Sequence, residues 1–200
     1  MDSADFVLAQ LPPSAARVLE VGCGSGALAR ALDAAGHRVL AIDPVAPDGP
    51  IFRRVTLEAL DDPGPFDAVV AGRSLHHVHD LPAALDQIVS LLEPRGRVVL
   101  DEFGWDLLDP PTAEWYGGGR PVEDVLADWN EEHEGLHGYG QMRRALDARF
   151  EERLLAWEPY LYRLLERPGA EADERALIEQ GAIRAIGFRY VGELLSSPTS

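Results

Sequence analysis

Arg17-Val18-Leu19-Glu20-Val21-Gly22-Cys23-Gly24-Ser25-Gly26 decides the fold. An apolar run that stops in three alternating glycines predicts a strand feeding a tight turn. Residues 27–35 then carry helical propensity, with Leu28, Ala31, Leu32 and Ala35 on one face and Gly36 placed as a left-handed cap. Arg38-Val39-Leu40-Ala41-Ile42 predicts a second buried strand, closed by Asp43-Pro44. Strand, helix and strand in this order imply parallel pairing with a right-handed crossover.

Outward from this unit the alternation continues. A short helix over 3–11 ends at Pro12 and Pro13. Residues 51–56 predict a weak strand and Phe66-Asp67-Ala68-Val69-Val70-Ala71 a strong one. Asp80 and Pro82 open an amphipathic helix over 81–92. Glu93-Pro94-Arg95-Gly96 reads as a turn before a strand over 97–103. The pattern predicts an α/β, Rossmann-like doubly wound fold, with a mostly parallel sheet and helices on both faces. Beyond 103 the reading changes. Residues 104–120 are rich in Gly, Pro and aromatics and read as a loop. Helices are expected over 122–134, 141–148, 159–166 and 171–180. Strands are expected over 150–157 and around Phe188-Arg189-Tyr190-Val191, with a polar tail from Ser196. The whole chain, 1–200, reads as one domain carrying a helical rim over 104–182.

The 200 residues are 46% hydrophobic, enough for a packed core. Eighteen basic against 34 acidic side chains give a net charge of −16, which repels a phosphate backbone and argues against nucleic acid as partner. Every basic side chain is Arg, so Schiff-base chemistry and a P-loop lysine are excluded. Arg for Lys with abundant Ala suggests a GC-rich bacterial genome. Cys23 is the sole cysteine, which rules out an internal disulfide and a cysteine-rich zinc site. No signal-like start and no apolar run near the ~18 residues of a membrane span is present, so a cytoplasmic protein without membrane partners is expected. Oligomeric state is not legible.

A glycine turn between strand and helix lets backbone approach a ligand, while the helix N-terminus favours negative charge. Gly22, Gly24 and Ala27 fit the dinucleotide pattern, and Asp43 stands where a ribose-binding acid belongs. A nicotinamide-dependent oxidoreductase is therefore one reading. Glu20 favours another, because a carboxylate there would repel a pyrophosphate but suits a cationic, phosphate-free cofactor.

Glu20-Val21-Gly22-Cys23-Gly24-Ser25-Gly26 resembles the acid–glycine signature of class I S-adenosylmethionine-dependent methyltransferases of the small-molecule type. Ala41-Ile42-Asp43, the strand from Phe66 with Ser74-Leu75-His76-His77-Val78-His79-Asp80 after it, and Leu91-Leu92-Glu93-Pro94-Arg95-Gly96-Arg97-Val98-Val99-Leu100 resemble the family's later segments in order and spacing. The resemblance spans about residues 15–103. It implies S-adenosylmethionine as cofactor and S-adenosylhomocysteine as product, with a small-molecule methyl acceptor. It implies cofactor contacts from Glu20, Gly22, Cys23, Gly24, Gly26, Asp43, Pro44, Leu57 and Arg73. Asp43 would accept from the ribose hydroxyls, and the Leu57 backbone would replace the adenine-binding Asp that the family often has.

Methyl transfer from a sulfonium is an in-line displacement, so positioning does most of the work. An acidic acceptor still needs a base, for which His76 and His77 are the catalytic candidates. The spacing of His76, His77 and His79 does not converge on one ion, so no metal is expected. Glu102, Trp105, Trp115 and Tyr116 follow the end of a strand, where open α/β sheets bind ligands, and are the acceptor-binding candidates. Only about 16 residues precede the first strand, at most a helix of ~24 Å, so cover over the acceptor pocket is expected mainly from the rim after Gly104, from the loop over 104–120 and the helices from Val122 to Ala148. Asp109-Pro110-Pro111 imitates a motif of methyltransferases acting on amino groups of nucleic-acid bases, but Thr112 follows it and it lies after the wrong strand; it reads as a decoy loop. A non-catalytic binding module on the same fold remains the third reading.

Overall fold

Val18, Leu19 and Val21 make a run that can be buried on both faces, and β1 (Arg17–Val21) is buried at every position after Arg17. The computed structural model describes residues 2–13, 15–62 and 64–195. β1 lies inside the sheet, parallel to β2 (Arg38–Ile42) on one side and β4 (Phe66–Gly72) on the other. The strands follow the order β3-β2-β1-β4-β5-β7-β6, where β3 is Phe52–Arg53, β5 Leu92–Phe103, β6 Phe150–Glu158 and β7 Gly187–Leu194. The chain winds outward from β1 to β3, then returns to wind from β4 to β5. The gap between β1 and β4 is thus the switch point where such sheets bind ligands.

Alternation along the strands sorts the core. Leu19, Val69, Val98 and Leu100 face α3 (Leu81–Leu91), which meets them with Leu81, Leu85 and Ile88 at helical spacing. Met142 and Leu146 of α6 (Tyr139–Asp147) extend this layer. Val18, Val70 and Val99 face the other way, onto Phe6, Val7 and Leu11 at α1 (Ser3–Gln10) and Leu32 of α2 (Ala27–Ala34). As expected, Asp80 caps α3, accepting from the Ala83 N–H at 3.0 Å.

β7 runs antiparallel to both β5 and β6. β6 therefore points the same way as β5, and its last residue, Glu158, pairs across Gly187 to the level of Phe103. That inserted strand brings residues 159–164 to the carboxyl edge of the sheet. It also makes part of the expected rim, 150–158, a strand of the sheet itself.

Four expectations change. Residues 104–120 are not a plain loop: after a short 3-10 turn, Trp105–Leu107, they hold α4 (Pro110–Gly117). Asp109 is its N-cap, accepting from the Thr112 N–H at 3.0 Å and hydroxyl at 2.5 Å, and Pro110 opens the first turn. The apparent motif is a helix start. Residues 93–96 are a bulge within β5, opposite Asp67 alone, with Arg95 at φ 70°. Residues 159–166 hold one 3-10 turn, Leu161–Leu164, because buried Glu174 of α7 (Ala170–Glu179) takes the N–H groups of Tyr160, Leu161 and Tyr162. The strand over 51–56 shrinks to two residues. The tail from Ser196 lies outside the described residues.

The cap gives a direct test. Asp109→Ala should lower stability by about 0.5–2 kcal/mol in urea denaturation.

Candidate active site

The parallel strands β1, β2, β4 and β5 end on one edge, so the turn after β1 meets the ends of its neighbours. The Gly22 and Cys23 N–H groups both donate to the Ile42 carbonyl, at 2.9 and 3.1 Å. The Gly24 N–H donates to Asp43 Oδ2 at 2.9 Å, and the Val45 N–H donates to Oδ1 at 2.8 Å. Asp43 thus pins the glycine turn to the end of β2. Gly22 has φ 76°, and a Cβ there would lie 2.3 Å from the Ser74 Cβ. Both the backbone angle and the space demand glycine.

A cavity of about 950 Å³ opens between this turn and the ends of β2 and β4. Glu20, Gly22, Cys23, Gly24, Asp43, Pro44, Leu57 and Arg73 line it. Gly26 does not: it is buried, with its Cα side 2.5 Å (as a built Cβ) from the Phe52 ring, and it packs the turn onto β3. Asp2, Ser3 and Ala4, at the start of α1, border this cavity, and no described residue beyond His79 does.

Glu20 is 4% exposed, and its Oε2 has no hydrogen-bond partner among the described residues. Burial pushes its carboxyl up to about 7; the Ala29 N–H opposes this shift and the Asp43 charge adds to it. Burial likewise pushes the Cys23 thiol up to about 11, helped by the charges of Glu20 and Asp43, so Cys23 is no thiolate nucleophile.

After β4 the chain turns sharply. Arg73 adopts φ 52°, in the left-handed region that non-glycine residues avoid, and its N–H donates to the Asp101 carbonyl. The Ser74 hydroxyl donates to the Val21 carbonyl at 2.8 Å. Glu102 organises the rest. Its Oε1 accepts from the Ser74 and Leu75 N–H groups, both at 2.7 Å, and its Oε2 lies 2.8 Å from His76 Nδ1. With Glu102 at 1% exposure, both oxygens face inward. Glu102 is therefore not an acceptor-binding side chain; it holds the loop that carries the histidines.

A second cavity, of about 320 Å³, adjoins this loop, lined by Arg73, His76, His77, Phe103, His133 and Tyr160, with Glu132 and Leu136. Arg73 and His77 line both cavities. Phe103 and Tyr160 stack in parallel, 4.0 Å between centroids. His133, following α5 (Val122–Glu132), donates from Nδ1 to the Trp129 carbonyl at 2.7 Å, which leaves Nε2 as its acceptor nitrogen. Burial, with the charges of His76 and His133, lowers the proton affinity of His77 against the pull of Glu102.

Trp105, Trp115 and Tyr116 line neither cavity. They are half-buried and pack against Phe103, Trp129, Tyr160, Leu161 and Ile186, forming the layer behind the second cavity. Trp105 Nε1 donates to the Leu136 carbonyl, Trp129 Nε1 donates to the Trp105 carbonyl, and Arg167 lies over the Trp115 ring. Tyr160, Phe103 and His133 were not singled out from sequence. The signal for Tyr160 is topological: it follows a strand that ends on the same edge as β5. Among the described residues, no group of three or more His, Cys, Asp or Glu side chains is arranged to hold a metal ion, and no helix is long and apolar enough to cross a membrane.

A sequence profile described as "Methyltransferase domain" matches residues 2–161. The ubiquinone biosynthesis O-methyltransferase of Xylella fastidiosa (strain 9a5c) is 34% identical over 165 residues, covering 66% of this chain and 65% of that enzyme. The chain thus spans just under two thirds of that relative's length. An S-adenosylmethionine dependent methyltransferase from Mesorhizobium loti shares the fold at a TM-score of 0.63 and 19% identity, with 96% of this chain and 98% of that one covered. The Burkholderia thailandensis 1,6-didemethyltoxoflavin-N1-methyltransferase, solved with its acceptor and S-adenosylhomocysteine, gives a TM-score of 0.60 at 20% identity, covering 96% and 76%. With the profile matched from the first helix to the end of β6, the chain belongs to the class I S-adenosylmethionine-dependent methyltransferases.

Proposed function

We propose that this chain methylates a small molecule held in the second cavity, using S-adenosylmethionine held in the first. One observation carries the reading: Arg73 and His77 line both cavities. A methyl carbon presented between them has the cofactor sulfur on one side and the acceptor on the other, the line an in-line displacement needs. The first cavity suits a cationic cofactor, because four acids, Asp2, Glu20, Asp43 and Glu58, line it against one arginine, Arg73. Asp43 spends one lone pair per oxygen on the turn, and each oxygen can accept again, from the ribose hydroxyls. The second cavity has the size of a compact ring compound and apolar walls in Phe103 and Tyr160. The Xylella relative is named for O-methylation and the Burkholderia neighbour for N-methylation. An oxygen acceptor is the better reading here, since the relative is the more similar in sequence.

Calorimetry with S-adenosylmethionine, S-adenosylhomocysteine and NAD(H) tests the cofactor assignment. The first two should bind and the third should not; tight NAD(H) binding would favour the oxidoreductase. Asp43→Ala should weaken S-adenosylhomocysteine about tenfold or more, the loss of hydrogen bonds to a charged acceptor. Unchanged affinity would remove the ribose assignment.

The raised proton affinity of Glu20 fixes a pH dependence. The ligand-free fold binds a proton that the unfolded chain releases near 4.5, so the contribution of Glu20 to stability is present below that pH and is lost as pH rises to about 7. The loss is on the order of 3 kcal/mol. Thermal unfolding of wild type and Glu20→Gln between pH 4.5 and 8 should differ by this slope. A cationic cofactor favours ionised Glu20, so it should bind more tightly to wild type as pH rises through about 7, and the variant should lack that gain.

A further inference from the structure

Of the rings on the second cavity, only His76 has a carboxylate behind it. Glu102 Oε2 lies 2.8 Å from His76 Nδ1, in a pair buried on both sides. Glu102 Oε1 already accepts two backbone N–H groups, and Oε2 is placed to accept the Nδ1 proton of His76, the tautomer that leaves the lone pair on Nε2. His76 lines the cavity, and no described group bonds Nε2. The arrangement fixes tautomer and ring plane and supplies a charge to stabilise an imidazolium. His77 has no such partner among the described residues, and burial, with the charges of His76 and His133, lowers its proton affinity against the pull of Glu102.

Arg73 faces the same space. In a chain with 34 acidic and 18 basic side chains, its guanidinium makes no ion pair among the described residues. Its backbone is held in the left-handed region, a strain that persists where the surroundings impose it and is common at functional sites. A cation without an anion beside a base without an acid describes a place for a hydroxyl that ionises. A ring hydroxyl, with an ordinary pKa of about 10, gives its proton to an imidazole far more readily than an alkanol does.

We propose that the second cavity takes a planar small molecule through an acidic, phenol-type hydroxyl, with His76 as the base and Arg73 holding the oxyanion. The proposal rests on the methyl-transfer reading above and names its acceptor class. The hydroxyl proton passes to His76 Nε2. The oxygen lone pair forms the bond to the methyl carbon while the carbon–sulfur bond breaks, and that electron pair stays on sulfur as neutral S-adenosylhomocysteine. His76 then releases its proton to solvent. Every charged or titratable neighbour bears on this step. Glu102 and Glu132 favour the imidazolium; Arg73, His77 and His133 oppose it when charged; burial pushes the Tyr160 hydroxyl up to about 12, so it stays neutral.

The test uses the full chain saturated with S-adenosylhomocysteine and 4-nitrophenol as probe, whose phenolate is read by its absorbance. Bound probe should ionise about one unit or more below free probe, the effect of a cation at close range. Arg73→Gln should remove more than half of that shift. His76→Asn, whose amide N–H can still donate to Glu102, should lower the phenolate fraction of bound probe at least threefold near neutral pH while keeping S-adenosylhomocysteine affinity within twofold. His77→Asn should keep most of the shift. Failure of the probe to bind, ionisation unchanged from solution, or loss of the shift in His77→Asn but not in His76→Asn overturns the proposal. If His76→Asn does not fold, the Arg73→Gln arm decides. Failure of S-adenosylhomocysteine to bind wild type is a different result, and it overturns the methyl-transfer reading itself.

Discussion

Glu102 is a carboxylate sealed at the end of β5 and surrounded by three N–H donors from the chain that follows β4. Hydrogen bonds to a charged acceptor are worth about 1.5–3 kcal/mol each, and burying their partners unmet costs about as much. The loop over 73–77 can leave β4 so abruptly because its inward N–H groups are satisfied there. Ser74 then reaches back to the Val21 carbonyl and presses its Cβ against Gly22. The glycine turn on one cavity and the histidines on the other are parts of one hydrogen-bonded unit. A change at Glu102 would reach both.

The charge arrangement follows the same division. The first cavity is lined by four acids, Asp2, Glu20, Asp43 and Glu58, with Glu20 held partly neutral by burial, and its turn is drawn closed by Asp43. The second cavity carries Arg73, three histidines and only Glu132 among acids. A cationic donor and an acceptor that becomes anionic suit these two sides. The two cavities share Arg73 and His77 as lining residues, and the proposed methyl transfer takes place between them. The apolar stack of Phe103 on Tyr160, backed by Trp129, gives that side a rigid wall.

The first half of the chain was legible because its information is local. Apolar runs of strand length, a helix-length run between them and a glycine turn fix β1, α2 and β2, and Asp80 with Pro82 fixes the start of α3. What escaped depends on partners far along the chain. Glu102 reads as a strand-end acid until residues 26–28 positions earlier fold onto it. Tyr160 reads as core until an antiparallel β7 turns β6 to run alongside β5. Conversely, Trp105, Trp115 and Tyr116 follow the right strand, but the α4 helix that Asp109 starts folds them into the layer behind the cavity. Residues 104–120 looked like a loop because their glycines and prolines outweighed the cap signal at Asp109.

The central claim is that donor and acceptor lie on opposite sides of the Arg73–His77 border. A crystal structure of the chain with S-adenosylhomocysteine tests it most directly. The account predicts the ribose hydroxyls on Asp43 and the sulfur at the border, facing the second cavity. A ligand whose sulfur points instead toward Asp2 to Ala4, away from Arg73 and His77, would contradict it.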